Sequence, residues 1–205
     1  MKPQDLIESM DPFFPADFFR LELEIRERET ELPDLSGMLA EESFASVSLS
    51  WSPEGIQCTF EVKEPLTGSF FPDYDKGDAI EIFIDTRDNK SASFASRFCH
   101  RFVILGEEVS GIKAQEITRF RSEDSHPLCD PEDIDVEIKK KRSGYDAIIT
   151  LPKVVLYGYD PLQFAGIGFA YRIHRQKNTP QHFPFSTKHF EPLQHPALWA
   201  SLLLV

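Results

Sequence analysis

The chain has no run of apolar residues approaching the ~18 that a membrane-spanning helix requires. Its opening, Met1-Lys2-Pro3-Gln4-Asp5-Leu6-Ile7-Glu8, has no apolar centre and carries early acids. That pattern is not a secretory leader, and a cytoplasmic protein without membrane contact is expected. Cysteine is scarce and odd in number: Cys58, Cys99 and Cys129, with no Cys-x-x-Cys pair. A disulfide framework and a zinc finger or ribbon are therefore not indicated, and a reducing compartment fits. Basic charge is in deficit, with 22 Lys and Arg against 34 Asp and Glu and a net charge of −12. This argues against a nucleic-acid partner. The one basic run, Lys139-Lys140-Lys141-Arg142, precedes Ser143-Gly144 and reads as a hairpin turn. No nucleophile elbow, His-Glu-x-x-His, phosphate loop or dinucleotide fingerprint is present, so a non-catalytic protein is expected. Tryptophan is limited to Trp51 and Trp199, both in strand-like apolar settings that read as core. Methionine is limited to Met1, Met10 and Met38.

What is abundant is phenylalanine, 18 residues, mostly in short alternating segments that could furnish a sizeable core. Acid is concentrated at the front: the first 64 residues hold 15 acidic and 5 basic side chains. From residue 165 the only acid is Glu191, and four of the six histidines lie there. An acidic N-terminal third facing a basic C-terminal part is one reading, and plain solubility is the other. The most informative stretch is Gly77–Asp88. Ile80, Ile82 and Ile84 alternate with Ala79, Glu81, Phe83 and Asp85, which predicts a strand with one wholly apolar face. The other face sets a carboxylate beside an aromatic. A saccharide site uses that pairing, because the carboxylate accepts hydroxyl hydrogen bonds and the ring covers an apolar sugar face. A half-buried strand with a solvated outer face is the alternative.

Residues 1–16 read as a Pro-bounded N-terminal arm and 17–205 as one domain. Strands are expected at Phe18–Ile25, Ala45–Trp51, Ile56–Val62, Ala79–Asp85, Arg97–Leu105, near 112–120, 133–140 and 145–151, at Gly166–His174 and at Leu198–Val205. Ser52-Pro53-Glu54-Gly55 is turn chemistry closing a hairpin. Residues 26–43, 63–77 and 175–195 read as loops, the middle one with three aromatics that either tuck inward or await a ligand. Evenly spaced short strands with little helix predict an all-β, antiparallel β-sandwich of jelly-roll type.

These segments, in this order, resemble the family nine carbohydrate-binding modules and the wider DOMON-like β-sandwich superfamily. The hairpin Val47–Val62 resembles the opening strand pair. Gly77–Asp85 followed by Thr86-Arg87-Asp88-Asn89 resembles the family's most recognisable signature. Gly144-Tyr145-Asp146-Ala147-Ile148-Ile149-Thr150-Leu151-Pro152, Gly166–Tyr171 and Pro196–Trp199 resemble its later strands. The resemblance implies a saccharide held between two aromatic platforms and hydrogen-bonded from adjoining strands. It puts the carboxylate at Glu81 and a basic partner at His100 or Arg101, the two differing by one residue and hence by face. It puts one platform at Tyr74 or Phe71 and the other at Phe183 or Phe185, beside His182. The usual Trp platform is replaced, and Ile148 stands where the family often has Glu. A protein partner contacting the aromatics of 70–74 and 183–185, or a family member without sugar binding, are the rival readings.

No resident cofactor is expected. The resemblance admits a structural calcium ion, with Asp85 and Asp88 as oxygen donors. It also includes haem-binding members with Met and His ligands, which the three methionines at the front of this chain do not suit. Cys99-His100 and His126-Pro127-Leu128-Cys129 lack zinc-finger spacing and read as buried cysteines and a turn histidine. Glu81 and Asp85 share a strand face about 13 Å apart, too far for a glycosidase pair.

Overall fold

The computed structural model describes residues 21–121, 123–176, 178–186 and 191–205. The arm read over residues 1–16 and the first three residues of the strand read at Phe18–Ile25 lie outside them. Among the described residues twelve strands form two sheets: β1 (Glu22–Ile25), β2 (Thr30–Glu31), β3 (Ala45–Ser52), β4 (Gly55–Val62), β5 (Ala79–Asp85), β6 (Cys99–Val109), β7 (Ile112–Glu116), β8 (Asp135–Lys141), β9 (Gly144–Pro152), β10 (Gly166–His174), β11 (Gln181–Phe183) and β12 (Ala200–Leu204). One sheet has the order β1-β12-β10-β5-β6-β7, with β11 added to β10; the other is β2-β3-β4-β9-β8. Every pairing is antiparallel except β1 with β12. The chain is thus an all-β sandwich.

The period-two pattern explains the core. Val47 and Leu49 of β3, Ile56, Cys58, Phe60 and Val62 of β4, and Ala147, Ile149 and Leu151 of β9 are buried. The intervening Ser48, Gln57, Glu61 and Thr150 stay half-buried or exposed on the open face. Facing them are Ile80, Ile82 and Ile84 of β5, Phe102 and Ile104 of β6, and Phe169, Tyr171 and Ile173 of β10. Phe60 meets Tyr171 edge-on across the gap, with ring centroids 5.6 Å apart. The 53–54 hairpin turn forms as read, with Ser52 opposite Gly55. At the β8–β9 hairpin Gly144 is required, since a Cβ there would lie 2.1 Å from the Val62 carbonyl oxygen.

The seven-stranded sheet has no open face at its centre. All seven residues of β5 are buried. Segment 63–78 folds over one end of its outer side. Asp78 Oδ2 accepts hydrogen bonds from the Thr67 amide, the Thr67 hydroxyl and the Gly68 amide at 2.5, 2.9 and 2.8 Å, pinning that loop. Phe71 and Tyr74 then pack on Ala79, Val103 and Leu105. At the other end Leu193, Trp199, Ala95 and Phe185 pack on Phe83, Cys99 and Ala170. The loop aromatics near 71–74 tuck inward.

The loop read over 175–195 contains β11, and the loop read over 26–43 contains β2 and a helical turn at Ser36–Leu39. These pieces of two to four residues carry no periodic signal, so alternation cannot reveal them. β11 is fixed by long-range hydrogen bonds. Gln181 Oε1 accepts from the Phe44 and Ala45 amides at 2.9 Å, and its Nε2 donates to the Ala45 carbonyl at 2.9 Å. The acidic front does meet the basic tail here: Arg175 pairs with Glu42 at 2.6 Å and with Glu64, and His182 pairs with Glu41 at 2.8 Å.

Phe60 fills the centre of this interior. Phe60→Ala is expected to lower the free energy of unfolding by about 3–5 kcal/mol, read from urea denaturation.

Candidate functional site

On the outer side of the seven-stranded sheet, register brings one carboxylate under three nitrogen-bearing side chains. Glu81 of β5 lies opposite Arg172 of β10, with His174 two residues further along. On the other flank Arg101 of β6 is opposite Phe83, one step diagonally from Glu81. Glu81 Oε1 accepts from Arg172 Nε at 2.5 Å and His174 Nε2 at 2.6 Å. Glu81 Oε2 accepts from Arg101 Nε at 2.7 Å. Arg101 also donates to the Tyr74 hydroxyl at 2.9 Å and lies 5.5 Å from the Phe83 ring centroid. Glu191 stands at the rim, 3.6 Å from Arg101 and 3.9 Å from Arg172.

Glu81 is 0% exposed. Burial alone would raise its carboxyl; the His174 hydrogen bond and the Arg172 and Arg101 charges outweigh this and hold it well below the usual carboxylate range. Burial and the Glu81 charge push the Tyr74 phenol up, against the pull of the arginines. The arginine side chains keep 13% and 12% exposure, so their edges are what solvent meets.

Of the residues expected together, Glu81, Arg101 and Tyr74 meet, with Phe71 beside Tyr74 in the same apolar cluster. The choice between His100 and Arg101 resolves by face. Arg101 points outward to Glu81, whereas His100, opposite Ile84, points inward to Glu116 and His126. Phe183 is not with Glu81. It lies opposite Tyr171 on the interior side, 1% exposed and stacked on that ring at 5.4 Å. Half-buried Phe185 takes the outer side, in the cluster with Trp199. His182 shares the register of Arg172, but its amide and ring are both held by the Glu41 carboxylate. The outer face of Ala79–Asp85, read as reaching solvent, is roofed because loops cover it.

Arg172, His174 and Glu191 were missed. A signal existed for two of them: Arg172 and His174 alternate with Phe169, Tyr171 and Ile173, so they had to share the face away from the core. Only the pairing of β10 with β5 tells that this face is Glu81's.

Asp85 Oδ1 and Oδ2 accept from the Arg87 and Asn89 amides at 2.9 and 2.8 Å. Asp88 lies 2.6 Å from the Lys90 ammonium and accepts from Ser201 at 2.7 Å. Carboxylates engaged by their own turn and by a lysine are a poor fit for the six to eight oxygens that calcium takes. Met1 and Met10 lie outside the described residues, and Met38 is exposed at the surface.

No protein-family model and no curated protein matches this chain. Solved structures of similar fold include a family 9 carbohydrate-binding module from Caldicellulosiruptor kristjanssonii in complex with cellotriose. It has 14% identity and a TM-score of 0.60, over 89% of this chain and 93% of that one. The same kind of module in complex with glucose gives 13% identity and a TM-score of 0.63, over 90% and 95% of the two chains. At such identity the likeness is one of fold.

Because the folded state depresses the Glu81 carboxyl, its contribution is full above the unfolded carboxyl range near pH ~4.3 and is lost as pH falls through the folded value. Glu81→Gln is therefore expected to cost about 3–5 kcal/mol at pH 7, leaving two arginines with only Glu191 at the rim as a carboxylate partner. The gap to the native chain should narrow as denaturation is repeated toward pH ~3.

Proposed function

We propose that this chain is a non-catalytic saccharide-binding module, akin to the family nine modules, with its site over Glu81, Arg101, Arg172 and Tyr74. The observation that carries the reading is the arginine pair on the outer sheet face. Glu81 lies wholly beneath it, while the guanidinium edges reach solvent. A buried carboxylate with two arginines and a histidine is a costly way to hold a sheet together, and apolar residues of similar volume would often do as well. Presenting fixed donors is a reason to keep it.

Glu81 acts here through the arginines, holding each at a set angle by hydrogen bonds of 2.5–2.7 Å. The guanidinium N–H groups left over donate to sugar hydroxyls, and Glu191 at the rim accepts from them. Tyr74 and Phe71 on one side and Phe185 on the other pack inward but stay half-buried, and the edges they leave exposed would offer apolar surface for the C–H faces of a pyranose ring. Glucose and short β-linked glucose oligomers are the first ligands to try, since the similar structures hold glucose and cellotriose.

The test is calorimetry with glucose, cellobiose and cellotriose. Binding to the native chain is expected, with a loss of about 10–100-fold in Arg172→Ala, the value of one or two hydrogen bonds to a charged donor. Leu162→Ala, at a distant exposed position, should leave affinity unchanged. Equal affinity in Arg172→Ala and Arg101→Ala, or no binding of any of the three sugars, overturns the reading.

A further inference from the structure

A second buried constellation lies on the interior face of β6 and takes no part in the outer site. His100 near the start of β6, Glu116 at the end of β7 and His126 in the following loop are 0%, 0% and 1% exposed. Glu116 Oε1 lies 2.9 Å from His100 Nδ1 and 3.0 Å from His126 Nε2. All three ligand-capable atoms fall within 4.8 Å of one another. The Thr118 hydroxyl donates to the same oxygen at 2.8 Å, and the Cys129 amide donates to Glu116 Oε2 at 2.9 Å.

We propose that His100, Glu116 and His126 form a binding site for a zinc-class divalent transition-metal ion.

His126 Nδ1 is 2.6 Å from the Arg97 carbonyl oxygen, and His100 Nε2 is 3.4 Å from the Tyr157 carbonyl oxygen. The inward nitrogens, His100 Nδ1 and His126 Nε2, both face the same Glu116 oxygen. A divalent ion among these three atoms would replace the ring hydrogens that otherwise bridge to the carboxylate, leaving each ring's outer N–H to its carbonyl. A backbone carbonyl behind each imidazole is the outer partner that orients metal-ligating histidines.

Bonds of about 2.0–2.1 Å to nitrogen and oxygen place tetrahedral ligands about 3.3 Å apart, a few tenths beyond the 2.9 and 3.0 Å from the carboxylate to each imidazole; the separation of the two imidazole nitrogens is within 4.8 Å. Two imidazoles and a carboxylate suit zinc or cobalt; calcium, which takes only oxygens, is excluded. A water molecule would fill the remaining position of a four-coordinate ion; Cys129, whose amide donates to Glu116 Oε2, adjoins the cluster, but its sulfur does not converge with the three ligand atoms. Phe102 stacks beside His100, and Tyr157 and Phe120 pack on His126, shielding the cluster from water. The consequence is structural: one ion would tie the segment after β7 to the edge of the sandwich.

The experiment uses the full chain, stripped with a chelator and titrated with zinc against a chromophoric competitor, then with cobalt. One equivalent of zinc is expected, and cobalt should give the intense visible absorption of a four-coordinate ion. His126→Ala and Glu116→Gln, checked for folding by circular dichroism, should each lose at least about 100-fold in zinc affinity, whereas His174→Ala on the outer face should lose none. Should either site variant not fold, the native chain still decides by its zinc stoichiometry and its cobalt spectrum. Failure of the native chain to take up a stoichiometric ion at micromolar zinc overturns the proposal. So does unchanged affinity in folded His126→Ala. Sugar binding is not read in any arm, so the two readings fail separately.

Discussion

The strand Ala79–Asp85 is buried on both faces, and the organisation of the outer site follows from that. A strand at the middle of a sandwich normally has one dry and one wet side. Here residues 63–78, 184–186 and 191–199 roof the wet side, so a glutamate at mid-strand cannot rely on water to stabilise its charge. It must be paired, and pairing on a sheet is restricted to the residues that register sets opposite and diagonal to it. Arg172, His174 and Arg101 occupy those places. With Glu191 at the rim the two arginines face two carboxylates, so the cluster holds charge without a large net excess. The roof and the ion cluster need each other: without the arginines the roof would bury a bare charge, and without the roof the cluster would be an exposed surface pair of little consequence.

One strand carries both polar centres. In β6 Arg101 faces outward to Glu81 and His100 faces inward to Glu116. Each carboxylate is surrounded by nitrogen, yet the chemistry differs because the nitrogens differ. Arginine keeps its hydrogens at any accessible pH, so the Glu81 cluster is complete as protein alone. A histidine nitrogen can exchange its hydrogen for another partner, and at Glu116 a backbone carbonyl, of Arg97 or Tyr157, stands behind each ring. The first arrangement presents fixed donors outward. The second gathers a carboxylate and two imidazole nitrogens inward.

The legible part of this fold was the part written in period two. Ile80, Ile82 and Ile84 gave β5 and its inward face, and the bounds of β10 came out as Gly166–His174. What was illegible was set by contacts distant in sequence. From sequence Phe183 reads as a loop platform because three residues of β11 carry no alternation; only pairing with Tyr171 turns it into the core. His100 and Arg101 could not be separated until the register Phe83–Arg101 fixed which one looks out. Glu116 drew no notice as a site residue, because nothing local to it announces that His100 and His126 will close on it. The roofing of Glu81 was equally hidden, since it depends on Asp78 gathering three hydrogen bonds from a loop ten residues upstream.

The charge asymmetry of the sequence acquires a structural meaning through the same loops. The acidic front and the basic tail meet where β10 and β11 are joined. Arg175 reaches Glu42 and Glu64 and lies over the Phe44 ring at 4.0 Å. His182 is held twice by Glu41, and Gln181 completes the backbone hydrogen bonds of Phe44 and Ala45. These contacts fix β11 against a segment that lies before the first hairpin. The chain that leaves β11 carries Phe185 to the outer cluster, and the chain that enters β12 carries Glu191 to the arginine rim. His182 thus clasps β11, the point from which Phe185 departs, to Glu41. Neither arginine can be positioned by β5 alone. The acidic residues near position 41 act on the same surface from the far side of β10, by deciding where its roof begins.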